Sequence, residues 1–326
     1  MIKNKQLKII LFLLLLVILA SLVSILVGAV MINPIALFTG EENAVAYNIL
    51  LYSRIPRTCC SLFAGAALAL AGAIIQSVLS NPLAAPNIIG VNSGAGFMVA
   101  CSMAFFPYKT WSVPIAAFIG ALLIVFIILA ISEYAGASKM SLVLAGVAIS
   151  GMFSGATDAI ITFKPDALKG YTDFKIGGFR GITMERLYPA AICIIIGIII
   201  VIAFHHEMDI LSLGSETAQS LGLKVKKTRT ILLFSAALLA GAAVSFSGIL
   251  SFVGLLVPHV VRKLLGNDSI TLIIGSILGG AFLVTVCDTI ARSLFSPFEL
   301  PVGIILSLLG APFFLWILLK DRKHRI

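Results

Sequence analysis

Stretches of about twenty apolar residues, almost free of charge, recur along the whole of this 326-residue chain. A helix rises about 1.5 Å per residue and the hydrocarbon of a bilayer is ~30 Å thick, so each such stretch can cross a membrane. Windows of about 19 residues give ten candidate spans, near residues 9–31, 58–79, 88–106, 112–131, 141–163, 188–204, 230–247, 249–265, 270–287 and 301–319. With 60% hydrophobic residues, 11% charged ones and a mean hydropathy of +1.12, the chain lies outside the range of water-soluble domains. The expected fold is an all-α polytopic membrane protein of about ten transmembrane helices, one transmembrane domain over residues 1–326. No stretch is left for an appended soluble catalytic or nucleic-acid-binding domain, and no nucleic-acid partner is expected.

Ten spans place both termini on one side. With the amino terminus inside, 14 of the 23 Lys and Arg fall in cytoplasmic segments and the other 9 outside, which the positive-inside rule favours. The net charge of +9 is then loop charge that sets topology. The external segment 164–187 is unusually basic, with Lys164, Lys169, Lys175, Arg180 and Arg186, so an extra or missed span is the alternative there. Lys3, Lys5 and Lys8 precede an apolar run about twice as long as a cleaved signal's, so the run reads as a retained first span. Cys59, Cys60, Cys101, Cys193 and Cys287 lie in or beside apolar runs without metal-ligand spacing, which argues against a disulfide framework or a zinc site.

Small residues are dense within the spans, as at Gly65-Ala66-Ala67, Gly72-Ala73, Gly151-x-x-x-Gly155 and Gly275-x-x-x-Gly279, where they let helix backbones approach. Asp158 is the clearest charge inside a span, and inserting a carboxylate at a helix centre costs roughly 2.5–3.5 kcal/mol. It is expected to face a partner or a watery cavity. Ion-coupled transporters carry several such groups or broken helices, so coupling to an ion through Asp158 is the second hypothesis rather than the first. The glycine-rich Gly90–Gly96 lacks the lysine of a phosphate loop, and His205-His206-Glu207 lacks HExxH spacing, so neither ATP hydrolysis nor metal binding is expected of this chain. No constellation suits an intramembrane enzyme.

Four segments together resemble one family: Arg54-Ile-Pro-Arg57; Gly65 through Gly96, with Gln76, Asn81-Pro-Leu-Ala84 and Pro86; Leu211 through Gly222; and Gly248 through Leu319. The last includes Phe252 through Arg262, Asp288-Thr-Ile-Ala-Arg292, Leu300-Pro-Val-Gly303 and Gly310-Ala-Pro312. In this order and over nearly the whole chain they are similar to the permease subunits of bacterial ABC importers for iron-siderophore complexes, haem and vitamin B12. The resemblance implies a type II ABC importer permease fold in the bacterial plasma membrane. It implies a partnership of two permease subunits, identical or closely related, with two cytoplasmic ATPase subunits that hold ATP and Mg, and an external substrate-binding protein. The expected cargo is a ferric siderophore, with haem or vitamin B12 as alternatives on the same machinery.

Pro56 suits a first helical turn, which would stand Arg54 and Arg57 together at the outer surface. They could anchor to lipid headgroups. The resemblance implies instead docking of acidic side chains of the binding protein, with Arg292 on the same surface and Asp288 able to pair with it locally. Ser215 and Glu216 suit a helix start and Gly222 a helix stop, so Leu211–Leu223 reads as a short helix outside the membrane. By resemblance it is the segment that couples to the ATPase, with Gly214, Ser215, Glu216, Ala218 and Gly222 in contact and Gly214 and Ala218 small enough to seat in a cleft. Asn81 and Leu83, with Ser141, resemble the cytoplasmic gate, while Ser150, Ser154, Thr157 and Ser307 are polar candidates for the pathway. The family often has a tryptophan in the external stretch before the sixth span, where this chain has Phe174.

Overall fold

A computed structural model describes residues 3–28, 44–106, 109, 111–134, 139–294 and 298–322. The helices, numbered in chain order, are α1 (Asn4–Leu26), α2 (Ala44–Ile49), α3 (Ile55–Leu79), α4 (Val91–Phe105), α5 (Ser112–Tyr134), α6 (Lys139–Phe163) and α7 (Ala167–Ile176). They continue as α8 (Met184–Ala203), α9 (His205–Ser212), α10 (Ser215–Ser220), α11 (Val225–Ser247), α12 (Val253–Leu265), α13 (Ser269–Ser293) and α14 (Val302–Arg322). Each predicted window holds a helix, in the predicted order. Residues 29–31 of the first window, and the basic Lys323 and Arg325, lie outside the described residues. Among the described residues, seven helices are long and apolar enough to cross a membrane, while α4 and the apolar part of α14, Val302–Leu315, are shorter.

α3 is the hub. It packs against α11, α12 and α13, and 89% of its most apolar window is buried, against 6% for α1. Glycine explains how so many helices reach one axis. A Cβ on Gly65 would run into the backbone of Gly280 on α13, and one on Gly72 into Gly254 on α12, so the helices touch backbone to backbone. Gly275 and Gly279 instead make room for the side chains of Val261 and Val257 of α12. Gly151 and Gly155 differ from expectation: a Cβ on either would meet nothing within 4 Å, because they lie on an exposed face of α6.

Helices α4 and α12, of 15 and 13 residues, are short because irregular backbone precedes each. Ser80, left-handed at φ 48°, ends α3, and Gly90 at φ 75° starts α4. Phe252, at φ 65°, starts α12. Between α3 and α4 the chain runs from an exposed turn at residues 81–83 to a part enclosed by protein, with Ala84, Pro86 and Ile89 buried and the Pro86 ring close against Gly254, as non-helical chain at membrane depth requires. The basic segment 164–187 contains the ten-residue α7 and no further span, since ten residues reach only ~15 Å.

Candidate functional site

Two ends of the bundle and one open helix face hold the residues of interest. At the first end, α3 does not begin at Pro56. A π-helical turn, Leu50–Arg54, joins it to α2, so Tyr47–Leu79 is one helical run of 33 residues. Arg54 and Arg57 therefore sit inside the run, and with Arg292 they are 4%, 8% and 4% exposed. This corrects the expectation that the three stand on an open outer surface. Arg57 grips Asp288 of α13 with Nε at 2.9 Å from Oδ2 and Nη2 at 3.0 Å from Oδ1, and its Nη1 lies 2.8 Å from Glu299 Oε2. Asp288 is fully buried. The local Asp288–Arg292 pair that the spacing allows gives way to this long-range one, and Arg292 turns to the end of α1, where it donates to Ser24 Oγ at 2.8 Å and to the Ser24 carbonyl.

Arg54 Nη1 donates to the carbonyls of Ile25 and Leu26 at 2.9 and 2.6 Å. Two arginines thus satisfy carbonyls that the last turn of α1 leaves unpaired, where a cation also suits the helix dipole. Ser24–Thr58 at 2.8 Å and Ser61–Thr285 at 2.9 Å extend the polar seam between α1, α3 and α13. Ser24, Thr58, Thr285 and Glu299 escaped the sequence reading. Single hydroxyls in apolar runs carry no local signal, and Glu299 lies 242 residues from its partner.

Nearby, backbone bonds fasten the ends of α7 and α11 to each other and to the start of α14. Gly178 donates to the Ser247 carbonyl at 2.8 Å, Ile249 to that of Phe174 at 3.0 Å, and Gly303 to that of Gly177 at 3.2 Å. A Cβ on Gly303 would strike the Ile176 carbonyl. Phe174 is buried, so α7 is pinned between the end of α11 and the start of α14. Burial, and then the charge of Asp158, push the Tyr171 phenol of α7 above its ordinary value. Asp158 itself is exposed and close to the end of α6, which spares it the full cost of a mid-membrane charge.

At the opposite end, the expected single helix from Leu211 to Leu223 is two. Leu211 is buried in the last turn of α9, Gly214 at φ 107° breaks the chain, and α10 runs Ser215–Ser220. Gly222, at φ 82°, ends α10 where expected: its N–H bonds the Gln219 carbonyl and that of Leu223 bonds Ala218, the paired pattern that needs a left-handed residue. Ala218 is fully buried against its own chain rather than turned outward, a second correction. The outward side carries Glu216, with Leu213 and Leu221 each 62% exposed. Arg229 Nη2 donates to Ser215 Oγ at 3.0 Å, tying α10 to α11.

Asn81 and Leu83 form an exposed tip beyond α3, where Asn81 Oδ1 accepts from the Leu83 N–H at 2.9 Å and fixes a tight turn. Arg262 Nη2 donates to Ser77 Oγ at 3.0 Å and closes α12 onto α3 beside it. Ser141 is half-buried at the start of α6. Further along, Ser154 is exposed with Gly151, Gly155 and Asp158, Ser150 is half-buried, and Thr157 is buried and donates to the Phe153 carbonyl at 2.8 Å. Ser307 is half-buried on α14 and donates to the Gly303 carbonyl at 2.8 Å. Apart from the exposed carboxylate of Asp158, the polar side chains described on the open face of α6 are hydroxyls.

The profile of the FecCD transport family matches residues 13–320. The hemin transport system permease protein HmuU of Yersinia pestis is 36% identical over 321 residues, covering 96% of each chain. The Fe(3+)-citrate import system permease protein YfmE of Bacillus subtilis is 34% identical, covering 99% of this chain and 98% of its own. The iron(3+)-hydroxamate import system permease protein FhuG of Bacillus subtilis is 33% identical, covering 97% and 98%. A solved structure of a metal-chelate type ABC transporter in an inward-facing conformation superposes with a TM-score of 0.85 at 29% identity, covering 96% of this chain and 99% of that one.

Proposed function

The chain belongs to the FecCD transport family, as a membrane-embedded ABC importer permease whose ATPase is a separate subunit, and on that premise we propose that it moves a ferric siderophore into the cytoplasm. What carries the cargo reading is that relatives matching over nearly their full lengths are named for hemin, ferric citrate and ferric hydroxamate, all chelated iron. Haem and vitamin B12 are the alternatives on the same machinery. Both termini are cytoplasmic in this reading, which puts the Arg57–Asp288 end outside and α10 inside.

A second permease subunit, the same chain or a close relative, covers the open face of α6, and Ser150, Ser154, Thr157 and Ser307 belong to the pathway wall. Hydroxyls along that wall suit passage, because a tight site would hold the cargo. Asn81, Leu83 and Ser141 form the inner gate. Of two ATPase subunits, one docks on the α10 of each permease subunit, with Glu216, Ser215, Gly214 and Gly222 setting its shape and Ala218 anchoring it from behind, while ATP and Mg stay on the ATPase subunits. The binding protein docks at the outer end. Arg54, Arg57 and Arg292 support that surface from within, and access alternates as the ATPases close and release.

The test is uptake of labelled ferric siderophore, haem and cobalamin in cells carrying the chain with its neighbouring ATPase and binding protein, each with an inactive-ATPase control. ATPase-dependent uptake of a ferric siderophore alone is the expected result. Uptake that survives the inactive ATPase, and is abolished by a protonophore, would replace this reading with ion coupling through Asp158.

A further inference from the structure

We propose that the chain also binds an anionic phospholipid, in the cleft where the end of α5 and the start of α6 meet the corner between α10 and α11. The cleft encloses about 1190 Å³. Its walls are apolar at Leu129 of α5, Leu142 of α6 and Ile231 of α11, and its rim is basic at Lys224, Lys227 and Arg229. Among the described residues that line it there is no carboxylate. The bond from Arg229 to Ser215 Oγ holds one guanidinium at the wall.

The surroundings select the occupant. α5 and α11 pack side by side, and one turn along from Leu129 and Ile231 they expose Phe126 (69%) and Phe234 (48%), with Leu123 beside Phe126. A groove that is cationic at the helix ends and apolar along the helices matches a lipid: phosphate against the lysines, acyl chains along Phe126 and Phe234. Basic pockets between membrane helices take anionic headgroups for this reason. A bare phosphate would leave most of the volume and the apolar walls unused. A nucleotide would want a glycine-rich phosphate loop, which the described residues lining this corner do not form. The proposed topology enters only in naming the leaflet: with α10 inside, the lipid comes from the cytoplasmic leaflet. Because the cleft wall includes Ser215 of α10, the bound lipid would stiffen the helix on which the ATPase is proposed to dock.

The experiment uses the purified full chain in neutral detergent, without ATPase or cargo, so failure of the iron-chelate reading leaves it intact. Binding of phosphatidylglycerol, phosphatidylcholine and inorganic phosphate is measured by native mass spectrometry. It is repeated on Lys224→Gln/Lys227→Gln and, as a control elsewhere, on Lys169→Gln/Lys175→Gln. The expected result is at least fivefold preference for phosphatidylglycerol over phosphatidylcholine, lost in the first double variant and kept in the second, with bound phosphatidylglycerol not displaced by equimolar phosphate. Equal binding of the two lipids, an unchanged first variant, or displacement by phosphate would overturn the proposal. A photoactivatable phosphatidylglycerol on the unaltered chain gives a reading independent of how the variants fold. Labelling of the segments around Phe126 and Phe234 is expected, and labelling confined to other helices would sink it.

Discussion

Arg57 closes a two-pronged ion pair on Asp288 across 231 residues of sequence, at a depth where Asp288 has no exposure at all. The pair joins the hub helix α3 to α13, and Glu299 completes the guanidinium's partners. It makes the arginine a fastener inside the subunit rather than a free surface charge.

Removing one member strands the other. Asp288→Ala or Arg57→Ala should destabilise the chain by about 3–5 kcal/mol, the usual result of leaving a buried charge uncompensated. The double change Arg57→Met/Asp288→Leu should recover much of that, since the fully buried charge leaves with its partner and only the one-third exposed Glu299 loses its arginine. Thermal unfolding in detergent checks both. Full stability of Arg57→Ala with loss of binding-protein affinity would return Arg57 to a surface docking role.

The glycines of the hub should be far less tolerant than those of α6. Gly72→Val and Gly65→Val force side chains into opposing backbone and should abolish folded, monodisperse protein. Gly151→Ala and Gly155→Ala meet nothing within 4 Å in the chain and should leave its folding unchanged. Size-exclusion profiles of the four variants, expressed side by side, decide it.

At α10, Gly222→Ala places a Cβ on a residue at φ 82°, a left-handed conformation that costs an L-residue roughly 1–2 kcal/mol. Gly222→Asn should cost less, since asparagine enters this region more readily. Uptake should fall in that order while ATP hydrolysis by the assembled transporter persists. Equal uptake by all three chains would show that the shape of this corner does not matter to coupling.

Leu221 is exposed on the outward side of the same corner. Leu221→Asp should weaken association with the ATPase subunits about tenfold without changing the melting temperature of the isolated chain. Co-purification and melting measured on one preparation separate the two effects. A drop in melting temperature would mean that Leu221 packs within the subunit.

Much of this protein could be read from residue order alone. Burial against lipid is a local requirement, so apolar runs near one bilayer thickness marked every helix window. Gly222 was legible as a stop because its left-handed turn is a local backbone need. The order of family motifs, too, is a property of the string. Tertiary structure decided what depends on distant partners: that Arg57 pairs with Asp288 and not Asp288 with Arg292, that Ala218 faces inward, that Gly65 and Gly72 touch backbone while Gly151 and Gly155 face open space. Spacing reports which residues share a helix face, but only packing says what lies across from that face. In a bundle with one central helix, that partner is commonly hundreds of residues away.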